Sequence, residues 1–401
     1  MRAGSSLQGS RGPGTCGGTS SAPSRARRPR LTLVPLPVER PRPGCRAGAA
    51  PARCAGARRA PGAAGRQPAT LAAGEAPAVA AAIGRLGLPV YLSGMARGLL
   101  GAAHALQLRH RRREALREAD CVLLAGVPAD FRLDYGQHIR RAATLLSVNR
   151  DAHDLYRNRR PDVAVLGDPG ALLQALAAQP LAGEAARAGW LAALRERDRQ
   201  RDEGIAADAL RTGQRVNPLH FFRELDAQLG DDAVLVADGG DFVATASYVL
   251  RPRSPLSWLD PGVFGTLGVG AGFALGAHCA RPEARTWIVF GDGACGYSLA
   301  EFDTFVRHGI PVVAIVGNDA GWTQIAREQV KILGDDVGTV LARTRYHEVA
   351  AGFGALGIEI ASAADVAAGL RAAREAAAAG RPVLLNVLLD ATDFREGSIS
   401  M

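Results

Sequence analysis

The sequence predicts an α/β chain of two doubly wound parallel-sheet domains behind a disordered leader, and three observations carry that prediction. From residue 80 onward, short apolar runs alternate with helix-length segments, the pattern of parallel strands joined by crossover helices. A charged stretch with no strand signal, residues 183 to 215, divides the series in two. Residues 1 to 79 hold 13 Arg and 11 of the 23 Pro, with Glu39 and Glu75 as their only acids, and show neither helical nor strand periodicity. Such a leader buries too little apolar surface to fold by itself.

After the leader, "VAAAIGRLGLPVYLSG" (79 to 94) reads as a helix running into a short strand. "EALREADCVLLAGVPADF" (114 to 131) repeats the arrangement, with a strand from Cys121 to Ala125. "AATLLSVNRD" and "DVAVLGDPGALLQALAA" continue the alternation and complete a central domain over residues 80 to 182. Residues 183 to 215 are predicted to be a helical linker. The second domain, 216 to 396, opens at "NPLHFFRELDAQLG": Asn217 suits an N-cap, Pro218 the first helical position, and Gly230 the helix end. "AVLVADGG" follows as a strand, "FGTLGVGAGFALGAHCA" as a helix rich in small residues, and "RPVLLNVLLD" as the last strand before a tail at 397 to 401.

The bulk properties fit this organisation. A chain of 401 residues with 47% hydrophobic content has room for two or three domains, each with its own core. The net charge of +9 sits in the leader, whose 13 Arg against two Glu leave the remainder slightly acidic. A near-neutral body does not offer the folded basic face that nucleic-acid binding needs. Cys16, Cys45 and Cys54 fall in the leader, while Cys121, Cys279 and Cys295 stand singly in apolar surroundings. No metal or redox spacing appears among them, so they are expected to be buried, reduced thiols. No run of about 18 apolar residues suggests a membrane-spanning helix. The Arg-rich start also has the composition of a transit peptide, although its Pro and Gly oppose an amphipathic helix.

Chemistry concentrates in "IVFGDGACGYSLAEFDTFVRHGIPVVAIVGND", residues 288 to 319. "TWIVF" is predicted to be a buried strand, with Gly291-Asp292-Gly293 turning at its carboxyl end. The next helix is expected to bury Leu299, Phe302, Phe305 and Val306 and to stop at Gly309. "IPVVAIV" then returns as a parallel strand ending at Gly317-Asn318-Asp319. A right-handed crossover puts both strand ends on one edge of the sheet. Open α/β sheets bind ligands at that edge, and helix N-termini there offer free N–H groups to anions. Asp292 and the Asn318-Asp319 pair are therefore expected to converge as half of a cage for a hard cation such as Mg2+, with a diphosphate supplying the other half. The same residues are ordinary turn formers, and a lone Gly-Asp-Gly does not decide between the two readings.

The pattern of Asp292 followed by Asn318 and Asp319, 26 and 27 residues later, resembles the signature of thiamine diphosphate-dependent enzymes. That family includes acetolactate synthases, pyruvate oxidases, oxalyl-CoA decarboxylases and 2-hydroxyacyl-CoA lyases. The likeness extends over residues 80 to 400, and "GDGACGYSLAEFDTFVRH", "GNDAGWTQIAREQ" and "TDFREGSIS" are most similar to the acetolactate synthase-like 2-hydroxyacyl-CoA lyases. The resemblance implies a thiamine diphosphate- and Mg2+-dependent lyase that cleaves a 2-hydroxyacyl-CoA to a fatty aldehyde and formyl-CoA, as in fatty acid α-oxidation. It implies a homodimer or homotetramer at the endoplasmic reticulum membrane. Acetolactate synthase-type carboligation is the alternative within the same cofactor class. By position, Asp292 is the first metal ligand, Asp319 the second with Asn318 beside it, and the Gly321 carbonyl the third. Gly291, Gly293 and Ala294 flank the first ligand in the cofactor loop, and Leu267 props the cofactor into its bent shape. Gly240 and Asp241, in "ADGGDFV", approach the diphosphate.

In this family a catalytic Glu comes from an amino-terminal pyrimidine-binding domain of the partner subunit. Glu39 and Glu75 are not in such a setting, so no catalytic acid is assigned in this chain. The chain is expected to lack that domain and the relatives' membrane anchor, and to be inactive alone. A cofactor-domain fragment that only binds or dimerises is thus a further reading. "LRHRRREALREAD" (108 to 120) reads as a solvated basic helix face or, alternatively, as a site for the phosphates of a CoA or ADP moiety. Trp322, Thr323 and Gln324 are pocket candidates.

Overall fold

The structure is a computed structural model that describes residues 73 to 179, 181 and 183 to 396, together with the backbone of 61 to 65. Most of the expected leader, with Glu39 and the three early cysteines, and the tail at 397 to 401 lie outside the described residues.

The first sheet holds β1 (Pro61–Gly65), β2 (Val90–Leu92), β3 (Gln107–Leu108), β4 (Cys121–Ala125), β5 (Thr144–Asn149) and β6 (Val163–Leu166). Its order is β3-β2-β1-β4-β5-β6, with every neighbouring pair parallel. β1 lies inside the segment expected to be leader, and α1 (Ala76–Leu86) also begins before residue 80, so the fold starts earlier than the sequence suggested. The run Pro-Gly-Ala-Ala-Gly has none of the β-branched or aromatic residues by which strands are recognised. Two further helices, α2 (Arg112–Glu118) and α3 (Pro169–Ala177), and a single helical turn, Ala152–Leu155, belong to this domain. The linker forms one helix, α4 (Glu184–Ala209), as expected.

In the second domain α5 (Pro218–Gln228) is capped by Asn217, whose side-chain oxygen accepts the Leu219 N–H at 2.9 Å. The helix stops before Gly230, at a Leu229 cap. The sheet comprises β7 (Ala233–Asp238), β8 (Trp258–Leu259), β9 (Arg285–Gly291), β10 (Val313–Asn318), β11 (Leu356–Ile360) and β12 (Val383–Leu388), in the order β11-β12-β10-β9-β7-β8 and all parallel. Its helices are α6 (Gly240–Val249), α7 (Gly270–Ala280), α8 (Glu301–His308), α9 (Thr323–Leu333), α10 (Tyr346–Gly352) and α11 (Ala363–Ala378). β8, β11 and the helices after β10 were not foreseen.

The central strands are buried on both faces, which explains their unbroken apolar runs. Leu235, Trp287, Val289, Ile315 and Leu385 enter one core, while Val236, Ile288, Phe290, Val316 and Leu384 enter the other. In α8, Phe302 and Phe305 are buried edge to face, with ring centroids 5.6 Å apart. Leu299 precedes α8 rather than belonging to it, and both Leu299 and Val306 are only partly buried. α8 ends, as expected, at Gly309 with φ 61°. α9 contains no buried residue and exposes Ile325, Ile332 and Leu333. Cys121 and Cys295 are buried free thiols, but Cys279 is exposed, contrary to expectation, because it lies near the open end of α7. Among the described residues no helix is long and apolar enough to cross a membrane.

Candidate functional site

β9 and β10 pair in register, Gly291 opposite Gly317, so the next residue of each strand leaves the sheet at the same edge. Asp292 opens a single helical turn, Asp292–Cys295, and its carboxylate spans both strand tips. One oxygen accepts the Gly293 N–H at 2.8 Å, and the other accepts the N–H groups of Ala320 and Gly321 at 2.8 and 3.2 Å. The side chain is almost wholly buried. Burial first, and the charge of Asp319 second, push its pKa up to about 6, against the pull of the three N–H donors.

Asp319 accepts the Thr323 hydroxyl at 2.5 Å. Its pKa too is raised, chiefly by burial, with Asp241 adding repulsion. The loop from 319 to 322 is clasped from outside, since Trp322 N–H donates to Thr339 and Leu341 N–H donates to Ala320. Gly321 and Val340 form an antiparallel bridge there. The N–H and C=O of Gly321 then share the opposite side, the side on which its N–H meets Asp292. Ala320 holds a left-handed φ of 63°, a strained conformation for a residue with a Cβ.

The structure separates Asn318 from Asp319. Asn318 is fully buried, and its amide nitrogen donates to the Thr344 carbonyl at 2.9 Å and to Asn386 Oδ1 at 3.1 Å. That side chain ties β10 to β12, while Asp319 stands with Asp292.

The turn after β7 reaches the same place. Gly239 and Gly240 take φ values of 66° and 88°, and a Cβ on Gly239 would lie 2.1 Å from Leu267 Cδ2 and 3.4 Å from the Ala294 Cβ. Leu267 thus lies directly on the turn, with Ala294 beside it and Gly240 facing Gly291. Its loop is anchored by Asp238, a buried carboxylate that accepts the N–H groups of Gly268 at 3.0 Å and Gly270 at 2.6 Å. Asp241 behaves otherwise than the sequence suggested. Its carboxylate forms ion pairs with Arg327 at 2.7 Å and Arg395 at 3.7 Å. What this turn offers a phosphate is the backbone N–H groups opening α6, not the Asp241 side chain.

A cavity of about 350 Å3 lies over Asp292, walled by Gly293, Tyr297, Trp322, Thr344 and Tyr346. A Cβ on Gly293 would meet three Trp322 ring atoms at 2.5 to 2.7 Å, so the indole rests on bare backbone. Tyr346 donates its hydroxyl to the Asp292 carbonyl at 3.0 Å, and burial pushes its pKa to about 12. Asp238, Tyr346, Arg327 and Arg395 were not singled out from the sequence. The strand-ending position of Asp238 was the one available signal; the others are brought in from distant segments. The assembled donors suit a hard divalent cation: the buried carboxylate of Asp292 and the partly buried one of Asp319, both held above the usual carboxylate range chiefly by burial, and a backbone carbonyl beside them.

Two domain models match this chain: the thiamine pyrophosphate enzyme central domain over residues 68–176, and the C-terminal TPP binding domain over residues 238–387. The chain is 49% identical over 327 residues to the 2-hydroxyacyl-CoA lyase 2 of Bos taurus, covering 80% of this chain and 52% of the relative. To the enzyme of that name from Homo sapiens it is 48% identical over 328 residues, with the same coverage. An acetolactate synthase large subunit of Mycobacterium tuberculosis is 38% identical over 306 residues, covering 76% of this chain and 54% of the relative. The chain therefore spans about half the length of the curated relatives it matches. Among solved structures, a Rhodococcus jostii thiamine diphosphate-dependent 4-hydroxybenzoylformate decarboxylase superposes with a TM-score of 0.69 at 21% identity, covering 89% of this chain and 67% of its own. That match bears on the fold alone.

Proposed function

The chain belongs to the thiamine pyrophosphate enzyme family, and from that premise we propose that its second domain holds thiamine diphosphate through Mg2+, in a carbon–carbon lyase acting on 2-hydroxyacyl-CoA thioesters. The observation that carries this reading is the Asp292 carboxylate, buried between two strand tips and sharing its surroundings with Asp319. Asp292, Asp319 and the Gly321 carbonyl would hold the cation. The Gly239-Gly240 turn and the first N–H groups of α6 would face the diphosphate, and Leu267, seated on that turn, would support the bent cofactor. When bound, the cofactor supplies a carbon nucleophile and a sink for the electron pair released by bond cleavage. The chain's part is to orient that group and, through Trp322 and Tyr297, to shield it from water.

The names of the relatives at 48 to 49% identity support the substrate class. The reaction would convert a 2-hydroxyacyl-CoA into an aldehyde one carbon shorter and formyl-CoA, with no atom gained or lost. A homodimeric or homotetrameric assembly, at the endoplasmic reticulum membrane and within fatty acid α-oxidation, extends the same reading. The direct test gives the chain thiamine diphosphate, Mg2+ and a 2-hydroxyacyl-CoA and follows aldehyde release. Acetolactate formation from pyruvate, without aldehyde release, would assign carboligation instead. Calorimetry separates the reading of a cofactor-binding fragment: micromolar binding, about −8 kcal/mol, with no turnover of either substrate.

A further inference from the structure

The loop that carries Asp319 leads into α9, and a side chain joins the two a second time. Thr323, the first residue of the helix, donates its hydroxyl to the Asp319 carboxylate at 2.5 Å. Where that carboxylate points therefore depends on the roll of α9 about its own axis. In most surface helices an apolar stripe set into a core fixes the roll. In α9 the apolar side chains face the other way, with Ile325, Ile332 and Leu333 exposed by 57%, 75% and 67%.

Polar contacts occupy the inward stripe instead. Thr323, Arg327 and Lys331 recur at every fourth position and so lie along one side of the helix. Arg327, one turn beyond Thr323, meets Asp241 of α6 at 2.7 Å, with only 12% and 6% of the two side chains exposed. Lys331, a further turn on, reaches Glu396 at 2.9 Å on the surface. Asp241 is a fixed point for Arg327 to meet. It follows the Gly239-Gly240 turn directly, and its other oxygen lies 3.7 Å from Nε of Arg395. Arg395 is fully buried, with its guanidinium over the Tyr248 ring at 5.4 Å. Nη1 of Arg327 also donates to the Arg395 carbonyl at 3.5 Å. A sheltered ion pair with one partner held on both sides constrains a helix far more than an exposed pair of long side chains does.

We propose that Arg327 is a positioning residue for the cation: its pair with Asp241 sets the roll of α9 and, through Thr323, holds the Asp319 carboxylate toward Asp292. The proposal rests on the reading of Asp319 as a cation ligand. Backbone hydrogen bonds fix the path of the 319 to 322 loop, but they leave the Asp319 side chain free to rotate about its own bonds. The Thr323 hydroxyl selects one of those orientations. Partners that hydrogen-bond a ligating carboxylate commonly govern metal affinity by about 10- to 100-fold. The same chain of contacts also spans the site. The Gly239-Gly240 turn and the Asp319 loop, which would face the diphosphate and the cation, are joined through Asp241, Arg327 and Thr323 and so keep a set separation.

Mn2+ takes the same octahedral oxygen sites as Mg2+ and is visible by electron paramagnetic resonance. Titrating it into the full chain, with and without thiamine diphosphate, tests the proposal in the wild type, Arg327→Gln, Thr323→Val, the double variant and Lys331→Gln, with circular dichroism as a check on folding. The comparison is read in whichever condition the wild type binds. Arg327→Gln is expected to weaken Mn2+ binding about tenfold. Charge alone predicts the reverse, because the substitution removes a positive group near a cation. Thr323→Val should weaken binding by as much, and the double variant by no more than either single one, since both changes break one chain of contacts. Lys331→Gln, in the exposed pair, should stay within about twofold of the wild type. Mn2+ bound by Arg327→Gln as tightly as by the wild type, or losses that multiply in the double variant, overturn the proposal. If Arg327→Gln does not fold, Thr323→Val cuts the same chain at its other end, and unchanged affinity there overturns it equally. A wild type without saturable Mn2+ binding removes the cation reading and this proposal with it, whereas wild-type binding that Arg327→Gln leaves intact removes this proposal alone.

Discussion

Replacing Asp292 by Asn removes a charge that the cation-free fold holds at a cost. The carboxyl is pushed from 3.8 up to about 6, by burial before repulsion from Asp319. A gap of about two units is worth about 3 kcal/mol. Between pH 3.8 and 6 the folded chain binds a proton that the unfolded chain does not. The stabilisation is therefore complete below the lower value and lost as pH rises through the upper one. Asn keeps a single side-chain oxygen, so either the Gly293 N–H or the Ala320 and Gly321 pair loses its acceptor, at about 1 to 3 kcal/mol. At pH 7.5 without metal the gain and the loss nearly cancel, and the two proteins should melt within a few degrees of each other. From pH 7 to pH 5 the wild type should gain about 1.4 kcal/mol on the variant, or about 3 to 6 °C for a domain of this size. Thiamine diphosphate and Mg2+ at about a hundred times the dissociation constant should stabilise the wild type by about 2.7 kcal/mol and leave the variant unmoved. Scanning calorimetry across that pH range, with and without ligands, reads both effects. Parallel pH profiles, or equal ligand shifts in the two proteins, would refute the burial and cation argument together.

Two further substitutions probe the walls of the site. Gly293→Ala drives a methyl into the Trp322 ring and should cost about 1 to 3 kcal/mol; adding Trp322→Ala should recover most of it in a melting experiment, and no recovery would mean that the indole is not what confines the glycine. Asp238→Ala strands the N–H groups of Gly268 and Gly270, each at about 1 to 3 kcal/mol, and releases the Leu267 loop. Calorimetry should show cofactor affinity reduced about tenfold, and unchanged affinity would show that Leu267 needs no such anchor.

The parts of the molecule legible in the sequence are those fixed by local pattern. Continuous apolar runs mark β4, β7, β9, β10 and β12, and crossover handedness alone brings Asp292 to the 319 to 321 loop. β1 escaped notice because strand propensity is carried by side chains that Pro-Gly-Ala-Ala-Gly lacks. Asn318 and Asp319 were inseparable because they are adjacent in sequence, and only the pairing of β10 with β12 takes Asn318 toward Thr344 and Asn386. Asp241 passed for a phosphate contact because its partners Arg327 and Arg395 lie 86 and 154 residues away. No periodicity reports an encounter between such distant points of the chain.

The loop that carries Asp319 runs directly into α9, and that helix has no oily face pressed into the interior. It is moored by charge instead: Arg327 to Asp241 in a sheltered spot, and Lys331 to Glu396 in the open. Dissolved ions slacken such moorings unequally, because at about 1 M salt the screening length shrinks to about 3 Å. In brine the outer clasp yields first, and α9 is left to its inner ion pair while the backbone hydrogen bonds that hold the Asp319 loop, and the sheet behind it, stay intact.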